Sequence, residues 1–182
     1  KGKEDFFLIK YSASGEKIWT RQHGSNDGDW ARGIAIDASE NIILTGGTTG
    51  KLTGSKNLGS YDIFLVKYDS NGSIQWTRQI GTSTVDDGHA VTTDSSDNIY
   101  ITGRTWGGLD GSNKPNVCKN VTSTAREVCS DIFLVKYGSD GEKQWTQQIV
   151  ASSKEIAHGV AVDSVGNIYL TGYTSGALEG VN

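Results

Sequence analysis

Hydrophobic residues fill both faces of one short segment, DIFLVKY, at residues 62–68. Successive side chains of an extended strand point to opposite faces, so Ile63 and Leu65 share one face while Phe64 lies on the other. A strand that is apolar on both faces is typical of a sheet that is packed on both sides. The pattern therefore predicts an interior strand.

Three further segments complete a four-stranded unit. SIQWTRQI at 73–80 alternates apolar and polar residues, which predicts a half-exposed strand. GIAID at 33–37 and NIILTG at 41–46 are short runs of small and β-branched residues. Segments rich in Asn, Asp, Ser and Gly separate the strands and predict hairpin turns. No segment of adequate length shows the 3.6-residue period of a helix, so we expect no substantial helix.

The unit occurs three times in the chain. Trp19, Trp76 and Trp145 mark equivalent positions, which are spaced by 57 residues (76 − 19) and 69 residues (145 − 76). The repeats run over about residues 5–61, 62–130 and 131–182, within a single repeat region that spans residues 1–182. The longer second spacing comes from an insertion at 112–130.

A four-stranded unit of this length predicts a blade of a β-propeller, because each small sheet buries its faces against the neighbouring sheets. A β-solenoid and an open sandwich are the competing all-β folds. Solenoid repeats are usually shorter, which favours the propeller.

The consensus D-[IF]-F-L-[VI]-K-Y, W-T-[RQ]-Q and D-x-x-x-N-I-[YI]-[LI]-T-G resembles the bacterial SBBP β-propeller repeat, which is related in pattern to NHL-type blades. The resemblance implies a secreted or cell-surface bacterial protein, and it supplies no catalytic residues. By analogy with NHL-type blades, GIAID is the innermost strand A, NIILTG strand B, DIFLVKY strand C and QWTRQI the outer strand D. The chain then reads C-D, A-B-C-D, A-B-C-D, A-B.

Such a chain begins and ends in the middle of a blade, so we expect a segment of a longer protein. Three blades are too few to close a ring, since propellers have about four to eight. Either the chain is an arc of a larger ring, or two copies complete each other's half blades and form a homo-oligomer.

Charge and hydropathy exclude two classes of partner. The formal net charge is −4, and the 17 basic residues are scattered among 21 acidic ones, so no basic stripe is available for nucleic acid. No apolar run approaches the roughly 20 residues of a membrane-spanning helix. We expect neither nucleic acid nor a membrane span, and we expect no cofactor.

The two cysteines, Cys118 and Cys129, lie in the insertion. They are too few for a structural zinc site, and their spacing predicts one disulfide that closes a local loop in an oxidising compartment. Two free thiols in a cytosolic protein are the alternative.

Candidate binding residues collect where the D-to-A and B-to-C connections share one face. Arg32, His89 and His158 occupy equivalent positions just before strand A, and three residues earlier stand the acidic residues Asp29, Asp86 and Glu155. Such a ring suits an anion or, through the histidines, a divalent metal. The alternative is that each Arg or His pairs with a neighbouring loop carboxylate or carbonyl, and we predict no metal site.

Aromatic residues vary between the repeats in the same loops. Trp30, Trp106 and Tyr173 stand where the other repeats carry different residues. Exposed aromatic rings suit contact with a sugar or a protein, although they can equally seal loops onto the rim. The recurrent Trp19, Trp76 and Trp145 are instead expected to pack between blades.

These features predict a non-enzymatic extracytoplasmic binding or adhesion module, with a protein or a glycan at the cell surface as its partner. A structural or self-assembling surface protein with inter-chain blade completion is the alternative. A metal-dependent propeller enzyme would rest on His89 and His158 alone.

Overall fold

Twelve β-strands and no helix make up the described part of the chain in a computed structural model. The described residues are 2–52, 54, 57–109, 111, 129–150 and 153–178. The strands are β1 Phe6–Tyr11, β2 Lys17–His23, β3 Asp29–Ile36, β4 Ile42–Thr48, β5 Asp62–Tyr68, β6 Ile74–Ile80, β7 Asp86–Thr93, β8 Ile99–Thr105, β9 Asp131–Tyr137, β10 Lys143–Ile149, β11 Glu155–Val162 and β12 Ile168–Thr174.

The strands form four antiparallel sheets. The sheet orders are β1-β2, β3-β4-β5-β6, β7-β8-β9-β10 and β11-β12. This arrangement confirms the predicted all-β fold and the predicted succession C-D, A-B-C-D, A-B-C-D, A-B. We call these sheets the first half blade, blade 2, blade 3 and the last half blade.

The hydrophobic core lies between adjacent sheets. Ile63 and Leu65 of β5 are buried together with residues of blade 3, including Ile101 and Phe133. Phe64 of the same strand is buried on the other side, together with residues of the first half blade. The two apolar faces of DIFLVKY therefore pack against two different sheets, as the alternation predicts.

The outer strands carry the predicted tryptophans. Trp19 and Trp76 are partly buried against the two core clusters. Trp145 meets Tyr100 edge to face, with ring centroids 6.2 Å apart. Trp76 also lies under Gly141 in the C-D turn of the next blade. The expected packing between blades is confirmed for Trp19 and Trp76, whereas the ring contact of Trp145 is with Tyr100 of its own blade.

Two sequence features fall wholly or mainly outside the described residues. Cys118 and most of the insertion, 112–128, are not described, while Cys129 is buried. The disulfide therefore stays a prediction.

Within the described part of the chain, no helix is long and apolar enough to cross a membrane.

Candidate functional site

The candidate site is built on a β-bulge that recurs in each innermost strand. The pairing between strands A and B shifts register between Ala31 and Gly33 in blade 2. Equivalent shifts occur in blade 3 and in the last half blade. The extra residues are Arg32, His89 and His158. A bulge bends the strand and re-aims one side chain, so all three residues leave the regular pairing at the same level of their blades.

A glycine on strand B makes room for each bulge. A Cβ on Gly46 would collide with the carbonyl oxygen of Trp30, and the same holds for Gly103 against Asp87 and for Gly172 against Ile156. The backbone of strand A approaches too closely for any side chain there. The glycine of each TG dipeptide is therefore a requirement of the bulge.

Asp87 joins the bulged residues of two blades. Its Oδ1 accepts a hydrogen bond from Arg32 Nε across the blade boundary at 3.0 Å. Its Oδ2 lies 3.1 Å from His89 Nε2 and 3.6 Å from Arg104 Nη2. Asp87 is 1% exposed, so this carboxylate is a buried centre that is surrounded by basic groups.

His89 in turn contacts His158. Their Nδ1 atoms are 3.2 Å apart, and the two rings stack with centroids at 5.0 Å. We assign the His89 proton to Nε2, where it is donated to Asp87, so that Nδ1 accepts from His158. The structure thus links Arg32, Asp87, His89 and His158 in one chain of contacts across three sheets.

The basic surroundings and burial change two pKa values. Burial works to raise the pKa of Asp87, but the hydrogen bond from His89 and the charge of Arg32 hold it below its usual value. Burial lowers the pKa of His158, and electrostatic interactions with the His89 imidazole and the Arg104 guanidinium lower it further. The carboxylate is therefore ionised at neutral pH while the exposed imidazole is mainly neutral.

The three predicted acidic residues lie elsewhere in their blades. Asp29 and Asp86 each accept hydrogen bonds from threonine hydroxyls, and Glu155 does so from Thr174. Each is at most 1% exposed. Burial raises the pKa of Asp86 despite its hydrogen bonds from Thr105 and Thr82. These carboxylates close the D-to-A loops, and the carboxylate that contacts the basic residues is Asp87.

The predicted aromatic residues differ in position. Trp30 is half-buried and stacks on Tyr61, with centroids 5.2 Å apart. Trp106 is also half-buried. Tyr173 is 43% exposed, and its ring lies beside His158 at 5.8 Å. Of the three, Tyr173 is the ring that is both exposed and adjacent to the bulged residues.

Sequence reasoning missed Asp87 and Arg104. Asp87 stands where the other repeats carry Trp30 and Ile156, and Arg104 stands where they carry Gly47 and Tyr173. The available signal was a charged residue at a position where the other two repeats carry apolar, aromatic or small residues. Among the described residues, no three His, Cys, Asp or Glu side chains lie close enough to hold a metal ion.

Two curated relatives match most of the chain. An uncharacterized WD repeat-containing protein of Acanthamoeba polyphaga mimivirus is 26% identical over 186 aligned residues, covering 87% of this chain and 13% of the relative. The regulatory protein FlaEY of Caulobacter vibrioides is 25% identical over 175 residues, covering 90% of this chain and 17% of the relative. The chain thus spans less than a fifth of the length of either protein.

A repeat family matches two stretches of the chain directly. The family is the SBBP β-propeller repeat, and it covers residues 75–110 and 144–178. Each stretch includes the outer strand of one blade and the A-B hairpin of the next, β6 to β8 and β10 to β12. The strand order and the core between sheets are consistent with β-propeller blades. The chain therefore carries two SBBP β-propeller repeats, at residues 75–110 and 144–178.

Proposed function

We propose that the chain is a non-enzymatic binding or adhesion module of the extracytoplasmic space, which engages a protein or a glycan at a cell surface. The observation that carries the proposal is the convergence of Arg32, His89 and His158. Each residue is the extra residue of a bulge in one of three successive inner strands, and the bulge directs its side chain toward the same site. Bulges that re-aim side chains are over-represented next to functional sites.

The relatives support a binding role in general terms, since one is a WD repeat-containing protein and the other a regulatory protein. The extracytoplasmic location rests on the predicted disulfide and on the resemblance to secreted repeats. The partner's nature rests on Tyr173, because an exposed aromatic ring beside polar groups suits both glycans and proteins.

The binding role is tested with purified surface glycoproteins and polysaccharides, immobilised as a defined panel and measured by biolayer interferometry. We expect saturable binding to at least one member, weakened about tenfold or more by Tyr173→Ala. Lys143→Ala is the matched control, because this exposed residue lies on the outer strand β10. Absence of binding across the panel, or equal binding by the Tyr173→Ala variant, would contradict the proposal.

A second candidate function, self-assembly by blade completion, is favoured by an apolar groove. The groove has a volume of about 540 Å³ and lies between β1 and β3, where Phe7, Ile9, Tyr11 and Ile34 line it. Phe7 on β1 is 68% exposed, whereas every residue of β5, the strand of blade 2 that is equivalent to β1, is buried. Strand β12 is largely exposed, although the equivalent β4 is buried. Among the described residues, no A-B hairpin pairs with the first half blade, and the last half blade offers one.

The complete blades define the register of such a pairing. Gly46 pairs with Phe64 and Leu44 with Val66 in blade 2, and blade 3 repeats this register. Transferred through the repeat, Gly172 of one copy would lie opposite Phe7 of another. Leu170 would then lie opposite Ile9. Two such junctions would close a six-bladed ring.

Light scattering coupled to size exclusion tests this second function. A dimer of about 39 kDa, twice the 19.5 kDa of the chain, is the expected result. Ile9→Lys should abolish the dimer because a charge blocks an open strand edge. Ile74→Lys is the control, since Ile74 is equally exposed, at 41% against 37%, but lies on an outer strand. A monomer at every concentration would exclude self-assembly.

A further inference from the structure

The four arginines of the described residues fall into two groups, and in the first group all three guanidinium nitrogens donate hydrogen bonds. On the outer strands, Arg21 uses all three of its guanidinium nitrogens, which donate to backbone carbonyls of Gly72, Thr20 and Asn71. Arg78 repeats this arrangement one blade further on. Both side chains fasten one blade to the next, and each of their guanidinium nitrogens donates a hydrogen bond.

The inner arginines keep most of their donors available. Arg32 donates from Nε to Asp87, and within the described residues its two terminal nitrogens have no acceptor. Arg104 lies 3.6 Å from Asp87, and it makes no hydrogen bond to any described residue. The Nε of Arg104 is buried without an acceptor in the same part of the chain. A planar fork with free donors is suited to a carboxylate.

The charge around these donors is positive. Asp87 is the one carboxylate of the described residues within 4 Å of either guanidinium group, so two permanent positive charges face one negative charge. The imidazoles of His89 and His158 lie beside them. The lowered pKa of His158 reflects burial and this positive potential. An anion would neutralise the excess charge.

The site also has a flat apolar wall. The ring of Tyr173 is 43% exposed beside His158, and Lys154 Nζ lies 5.8 Å from the ring centroid. An exposed aromatic face next to cationic donors suits a sugar ring that carries a carboxylate better than an extended peptide acid, which has no ring to stack.

We propose that Arg32, Arg104, His89, His158 and Tyr173 form a binding site for an acidic sugar, in which the guanidinium groups hold the carboxylate and Tyr173 contacts the ring. The inference rests on the proposed binding function, because it names the ligand chemistry of the same site. It adds the class of ligand and assigns a role to Arg104.

An NMR titration of the 182-residue chain with D-glucuronate tests the proposal. D-glucose serves as the neutral sugar, and N-acetylglycinate serves as a carboxylate without a sugar ring. Saturable shifts of the His89 and His158 imidazole signals are expected with glucuronate, at a millimolar dissociation constant typical of one small anion. N-acetylglycinate should bind several-fold more weakly, and glucose should give no saturable shift.

Arg104→Gln should weaken glucuronate binding about tenfold, since hydrogen bonds to charged groups are worth this much. Arg32→Gln is the second test variant, because its side chain is 44% exposed and tolerates replacement. Lys143→Gln removes the same charge on outer strand β10 and should leave the affinity unchanged. Equal losses in all three variants would indicate a general charge effect and overturn the site.

The remaining outcomes separate the site from the function. Equal binding of glucose would overturn the role of the carboxylate, and equal binding of N-acetylglycinate would overturn the acidic sugar in favour of a peptide acid. Absence of glucuronate binding, with panel binding that depends on Tyr173, would reject the acidic-sugar site and keep the binding module. Glucuronate binding without any macromolecular partner would support the site and reject the adhesion role.

Discussion

His89 and His158 face each other across a blade boundary with their Nδ1 atoms 3.2 Å apart. Only one proton can occupy the space between these nitrogens, so the pair is stable while at least one imidazole is neutral. The contact joins β7 to β11, and it therefore ties the last half blade to blade 3. Protonation of both rings would place two positive charges at this junction.

The first prediction concerns the pH dependence of stability. The folded state holds the pKa of His158 below its ordinary value of 6.5, so the unfolded chain binds more protons as the pH falls through that value. The stability should therefore decrease from about pH 7.5 to about pH 5. Groups that face this imidazole are His89, Asp87, Arg104, Arg32, Tyr173 and Lys154.

Thermal denaturation across this pH range measures the effect. His158→Gln should reduce the pH dependence, whereas Lys143→Gln should preserve it, because Lys143 lies on an outer strand. A His158→Gln variant with the slope of the parent chain would show that the imidazole pair is not responsible.

The second prediction concerns Asp87. Asp87→Asn leaves Arg32 and Arg104 without their counter-charge, and it should lower the free energy of unfolding by about 1–3 kcal/mol. The larger values known for buried pairs do not apply, because the Arg32 side chain is 44% exposed and screened by water. Urea denaturation measures the loss. Glu142→Gln, which changes a 79% exposed partner of Arg78, should cost much less.

The same substitution should act in the opposite direction on an acidic ligand. Removing the negative charge of Asp87 takes away the competitor for the two guanidinium groups, so the Asp87→Asn variant should bind glucuronate more tightly at a given pH. Weaker binding by a folded Asp87→Asn protein would mean that Asp87 holds the arginines in place rather than competing with the ligand.

The third prediction concerns the bulge. Gly103→Ala places a Cβ against the carbonyl oxygen of Asp87, so the bulge must shift and the His89 side chain with it. We expect a loss of about 1–3 kcal/mol in unfolding free energy, typical of overpacking, together with a changed His89 imidazole signal. Gly54→Ala is the control, because no atom of the described residues lies within 4 Å of an added Cβ there. Equal stability of the two variants would refute the steric requirement.

The local elements of the fold could be predicted because they depend on neighbours in sequence. The alternation in DIFLVKY corresponds to the two buried faces of β5. Each Asp-x-x-x-Asn segment forms a turn in which the Asp side chain, of Asp37, Asp94 or Asp163, accepts a hydrogen bond from the backbone N–H of the Asn four residues later. A tryptophan recurs at this position of strand D, and Trp19 and Trp76 pack there against clusters that include residues of the next blade.

The site could be predicted only in part. Arg32, His89 and His158 were found because they are equivalent in the repeat, yet their contacts depend on how the blades pack. Arg32 and Asp87 are 55 residues apart in sequence and belong to different sheets. The bulge depends on the register between strands A and B, and its trace in the sequence is one glycine. Asp87 breaks the repeat, and a search for repeated residues passes over it.

The last prediction concerns a buried ion pair at the opposite end of the blade. Lys67 Nζ lies 2.8 Å from Asp37 Oδ2, and both side chains are at most 5% exposed. Burial works to raise the pKa of Asp37, but the hydrogen bonds from Lys67 and Asn41 outweigh it and keep the pKa low. Lys67→Met leaves a buried carboxylate without its partner and should cost about 3–5 kcal/mol in unfolding free energy.

Lys10 provides the internal control for this loss. It is equivalent to Lys67 in the first half blade and donates to the carbonyl of Ser70 at 3.1 Å. No carboxylate of the described residues lies within 4 Å of it, so Lys10→Met should cost clearly less. Adding Asp37→Asn to Lys67→Met should recover much of the loss, because the unpaired charge is removed while an amide oxygen can still accept from Asn41. Equal losses for Lys67→Met and Lys10→Met in urea denaturation would show that the lysine stem, and not the ion pair, stabilises the blade.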